Sequence, residues 1–158
     1  MLTAGEFAVG TLAEAEPGTL MLPRTKYESA FLVGDRGGPI AMFLDGDHQF
    51  ASFPSKEAEN WKGLLIPGVE LIVDHASLFD PDDERAPLGS IVRGGTYLAI
   101  TAKSGDRYGF QDAIRINLRD DLPKSPSNLK AGFLHWKLVL GSGEDRRVLF
   151  KLDLREKA

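Results

Sequence analysis

The chain contains no cysteine. Disulfide frameworks, thiolate-held zinc, iron–sulfur clusters and cysteine nucleophiles are therefore excluded. A thiol-free chain fits a reducing compartment, and the cytoplasm is the expected location. Long apolar runs are also missing. The apolar segments are strand-sized, far short of the roughly 20 residues a membrane-crossing helix needs. Residues 1–6 show no basic segment leading into an apolar stretch, so no secretion signal is expected. Basic charge is in short supply: 19 Lys and Arg face 23 Asp and Glu, a net charge of −4. That balance argues against a nucleic-acid binder working through a general basic surface. The expectation is no nucleic-acid partner and no membrane.

Local catalytic motifs are missing too. There is no Gly-x-Ser-x-Gly elbow, no P-loop and no Gly-x-Gly-x-x-Gly, and the strand–helix alternation the last two need is absent. Ser127-Asn128-Leu129-Lys130 fits Ser-x-x-Lys, but its companion Lys-Thr-Gly and Ser-Asp-Asn elements are not there. A four-residue match with two fixed positions arises readily by chance. The three histidines, His48, His75 and His135, lie far apart, with no His-x-His or His-x-x-x-His pair to supply two metal ligands from one element.

What is present is a sheet rhythm. The chain has 158 residues, 42% of them apolar and 27% charged, enough for one domain spanning 1–158. Short apolar segments alternate with polar residues and are broken by turn clusters every ten residues or so. Strands are expected at 7–12, 19–22, 30–33, 40–44, 48–53, 69–74, 96–103, 107–110, 113–118, 136–140 and 148–154. The expected fold is all-β, an antiparallel sandwich or partly open barrel, with one short helix near residues 55–63. That helix would begin at Ser55 as N-cap, carry acids in its first turn, and stop at Gly63.

Turn chemistry suggests registers. An Asp45-Gly46 turn would set Phe43 opposite His48; a Gly46-Asp47 turn, which pairs two aromatics and is preferred, would set Phe43 opposite Phe50 and Asp45 opposite His48. A second Gly-Asp turn is expected at Gly105-Asp106. A loop over 141–145 would set Trp136 opposite Phe150 and Leu138 opposite Val148, leaving Lys137, Arg147, Lys151 and Asp153 on the wet face.

Two long connections, 79–88 and 121–132, are the natural places for function on a rigid scaffold. The first gathers Asp80, Asp82, Asp83 and Glu84, with Asp74 and His75 just upstream. Crowded carboxylates suit a hard cation, though this spacing does not match a calcium loop and also suits a solvated acidic turn. Arg115, Asn117 and Arg119 alternate with Ile114, Ile116 and Leu118, which puts two guanidinium groups on one strand face, an anion-binding edge or simply a wet one. Trp61, Tyr97, Tyr108 and Trp136 could stack on sugar rings or bases if exposed; Tyr97 and Trp136 sit among apolar strand neighbours, which points to core packing, and the exposure of Trp61 is left open. The candidate binding residues are therefore Asp74, His75, Asp80, Asp82, Asp83, Arg115 and Arg119. These residues support two readings. One is a non-catalytic binding or interaction module, with a second copy docked on a sheet edge as a partner. The other is a small acid–base or metal-dependent enzyme using Asp45, Asp74, His48 and His75.

Overall fold

Alternating short segments become strands because each can bury one side chain in two while pairing its backbone with neighbours. In the computed structural model of the chain, residues 2, 4–25, 28–35, 38–83, 86–94, 98–104, 111–115, 130–141 and 143–157 are described, with 104, 111–115, 156 and 157 described by backbone alone. The strands are β1 (Ala8–Thr11), β2 (Leu20–Pro23), β3 (Phe31–Asp35), β4 (Pro39–Phe43), β5 (Ala51–Pro54), β6 (Lys62–Ile66) and β7 (Glu70–Val73). They continue with β8 (Leu78–Phe79), β9 (Ile91–Arg93), β10 (Leu98–Ser104), β11 (Gln111–Arg115), β12 (Ala131–Phe133), β13 (His135–Leu140) and β14 (Arg147–Asp153). Helical structure among the described residues is limited to 3-10 turns of three or four residues.

The larger sheet runs β1-β6-β2-β3-β4-β5-β10-β9-β12-β8, with β11 beside β10 and bridged to β3 at Arg115 and Asp35. The smaller runs β14-β13-β7. Pairing among the described residues is antiparallel except where β5 meets β10. Among the described residues the sheets are not closed into a barrel, and the fold is all-β and sandwich-like.

The main core lies between the sheets. Leu20, Leu32, Met42, Ile66, Ile91 and Ile100 from the larger sheet meet Trp136, Leu138, Leu140 and Leu152 from the smaller. Trp136 is fully enclosed, and its indole Nε1–H donates to the Gly89 carbonyl at 2.7 Å. Gly89 has φ +85°, and a Cβ there would fall 2.4 Å from the Phe50 ring; both facts require glycine. A second apolar cluster, with Leu12, Met21, Phe31, Val33 and Ala58, covers the opposite face of the larger sheet. Strands β3 and β4 are thus buried on both faces.

Three local expectations are corrected. The helix is one 3-10 turn, Ser55–Glu57, with Pro54 rather than Ser55 at its N-cap; Ser55 Oγ is buried without a hydrogen-bond partner. Residues 62–66 instead form β6, paired on one side with β1 and on the other with β2. Tertiary pairing overrides local helix preference here. Gly63 is no helix stop: a Cβ there would lie 2.5 Å from the Leu22 carbonyl, so glycine permits the strands to close up. The β4–β5 hairpin has neither two-residue turn. Met42 pairs with Ser52 and Ala41 with Phe53, and the loop closes through Phe50 at φ +70°, whose N–H donates to Phe43 O at 2.8 Å. The Asp45 carboxylate accepts from the Ala30 N–H at 3.0 Å. In the last hairpin a bulge at Leu138/Val139 shifts the pairing: Trp136 faces Leu152 and Leu138 faces Phe150. Up to the bulge the shift of two keeps the expected faces; beyond it Val148 faces Val139 and Arg147 faces Leu140, and Val148 is half exposed. The expected second Gly-Asp turn and strand 107–110 lie outside the described residues.

Candidate functional site

Register decides what the outer face of the larger sheet offers. Met21 lies opposite Phe31, Phe31 opposite Phe43, and Ala41 opposite Phe53. Directly opposed residues share a face, so β2 to β5 turn a row of aromatic rings to the side away from the small sheet. Trp61 closes the row from the residue before β6. Its backbone is pinned by donation to Ala58 O at 3.3 Å and acceptance from Leu12 N–H at 2.8 Å. Its ring lies 5.1 Å from Phe53, 5.3 Å from Phe31 and 6.0 Å from Phe43. Phe31 and Phe43 are 4.7 Å apart, and the His48 ring is 5.5 Å from Phe43. All are tilted or edge-on contacts, the favoured aromatic geometry.

The row is not sealed. Trp61 is 42% exposed, against 1% for Trp136. A cavity of about 320 Å³ opens here, with Met21, Phe31, Phe43 and Trp61 as its apolar lining and Arg24, Glu28, Ser29, Asn60 and Lys62 as its polar lining. That size stands at the lower end of small-molecule sites. Such a groove can hold a ring by stacking and orient it by a few polar contacts.

A polar cluster occupies the outer face of the small sheet. Asp74 follows β7, His135 opens β13, Asp153 ends β14, and Arg155 lies in the 3-10 turn Leu154–Lys157. His135 pairs directly with Asp153. Arg155 donates to Asp153 through Nε and a terminal nitrogen, both at 2.9 Å, and to Asp74 at 3.2 Å. His135 Nδ1 stands 3.1 Å from Asp74 Oδ2 and 3.0 Å from the Arg155 terminal nitrogen. A guanidinium only donates, so a lone pair on Nδ1 takes the Arg155 contact and a proton on Nδ1 takes the Asp74 contact; the tautomer selects between them. The Arg155 guanidinium holds the Asp153 carboxyl down at about 2. Asp74 is held below the ordinary value first by the Ala76 N–H and then by His135, and Asp153 in turn raises Arg155. The guanidinium fills the space between the carboxylates, so these groups satisfy one another as an ion-pair staple.

The sequence-derived candidates do not converge. Asp74 joins the staple, but through His135. His75 is exposed in the next turn, its ring 6.4 Å from Phe133. Asp80 accepts from the Asp82 N–H at 2.9 Å in an exposed turn that also carries Asp83. Among the described residues no group of three or more His, Cys, Asp or Glu side chains is placed to hold a metal. Arg115 is in β11, opposite Ala99 and Asp35, with only its backbone described; Arg119 and Glu84 lie outside the described residues. Sequence reasoning named Trp61 among four aromatics, with its exposure open, and did not name the phenylalanines that complete its groove. Their signal was the unbroken apolar character of 30–33 and 40–44, which marks strands buried on both faces.

The profile of a family described as "Uncharacterised protein y4lG" matches residues 9–158. A protein of that description from Sinorhizobium fredii is 44% identical over 153 residues, covering 96% of this chain and 92% of its own length. No solved structure matches significantly. Nothing in these likenesses indicates catalysis. With the match running almost from end to end of both sequences, the chain belongs to the y4lG family.

Proposed function

We propose that the protein is a non-catalytic binding module whose site is the aromatic groove on the outer face of the larger sheet. One observation carries this reading: a cavity of about 320 Å³ keeps Trp61 42% exposed above Phe31 and Phe43. Covering such rings is favourable, so an uncovered, concave set of them suits a ligand. The reading places the module in the cytoplasm. It also includes self-association through a sheet edge, supported by Val9 on β1, which is 72% exposed at one end of the larger sheet.

The test is a fragment screen followed by nuclear magnetic resonance. The chain has two tryptophans. Binding in the groove shifts the Trp61 indole signal and leaves that of buried Trp136 in place, and Trp61→Ala abolishes the shift. Hits that perturb Asp74 and His135 while sparing Trp61 would move the site elsewhere.

A further inference from the structure

The groove has a charged end, and its sign selects a ligand. Pro23 pairs with Gly63 across β2 and β6. The next residues outward, Arg24 and Lys62, are therefore cross-strand neighbours, and both line the cavity. Like charges so placed repel unless an anion lies between them. Glu28 meets Arg24 at 3.8 Å, with side chains 55% exposed for Arg24 and 42% for Glu28. An exposed pair of this kind is weak and screened. The Lys62 ammonium has no ion-pair partner among the described residues. The charged groups lining the cavity thus leave one net positive charge, on a protein whose net charge is −4. A cationic ligand would gain from the ring faces but would meet Arg24 and Lys62 at the mouth.

Size narrows the choice further. A cavity of about 150 Å³ holds one benzene ring. At about 320 Å³ this groove has room for one ring and a short arm. We propose that the groove takes a small ring-bearing carboxylate, its ring against Trp61 and its carboxylate at Lys62. This rests on the binding-module reading and specifies the ligand class of the same site.

The experiment tracks Trp61 emission in a Trp136→Phe background, with phenylacetate, benzyl alcohol and benzylamine as probes. Phenylacetate is expected to bind roughly tenfold more tightly than benzyl alcohol, as a charge-assisted contact provides, and benzylamine more weakly than either. Lys62→Gln brings phenylacetate down to the level of the alcohol, and Lys62→Arg restores the preference. If the background variant fails to fold, the Trp61 indole resonance of the unaltered chain gives the same ranking. Equal binding of the three probes would overturn the anion assignment while leaving the groove as a binding site. Absence of binding by every probe would overturn both.

Discussion

Asp153 shows how a single residue ties the end of β14 to the start of β13. Arg155, two positions on, grips its carboxylate with two nitrogens, and His135 stands across the strand. The folded carboxyl titrates at about 2, against 3.8 for the free group. A depressed folded value contributes stability that is complete above about 4 and lost as the pH falls towards 2. Asp74, also lowered, acts in the same direction. The melting temperature is therefore expected to fall between pH 4 and pH 2.5, and to fall less in Asp153→Asn. An equally steep fall in that variant would show that the staple does not contribute to acid sensitivity.

At the level of elements, the last hairpin gives a ranking that the bulge determines. Leu152 faces Trp136 and is 6% exposed, whereas Val148 is 50% exposed. Leu152→Ala should cost about 2–4 kcal/mol, and Val148→Ala about 0.5 kcal/mol or less, by urea denaturation. The reverse order would contradict the register. The strand itself was legible: Trp136, Leu138 and Leu140 alternate with His135 and Lys137, and such a pattern fixes the buried face whatever the loop does. The bulge was not, because it depends on how Gly141 and the 3-10 turn Gly143–Asp145 join the strands. Strand β6 was hidden for another reason. Lys56, Glu57, Ala58 and Glu59 are good helix formers, and only pairing with β1 and β2 makes a strand of residues 62–66. The strands β8, β9 and β12, of two or three residues, exist by pairing and not by pattern. The groove was half legible. Each aromatic could be seen, but gathering Phe31, Phe43 and Phe53 on one face needed Ala41 opposite Phe53, and the hairpin turn pointed to another register.

At the scale of the whole molecule, the larger sheet ends in β1 on one side and β8 on the other, with Val9 and Leu78 strongly exposed. Unpaired edges with apolar side chains favour strand-to-strand association. Light scattering after gel filtration is expected to give a mass that rises with concentration towards a dimer, and Val9→Lys to hold the chain as a monomer. A monomeric mass across the range for the unaltered chain would remove the edge-pairing proposal. The order of strands carries one more consequence. β1 comes first in the chain, yet its pairing partner is β6, which lies between it and β2. During synthesis β1 cannot make its pairing with β6 until residues 62–66 have left the ribosome, so a strand made early takes its place in the sheet only after one made much later.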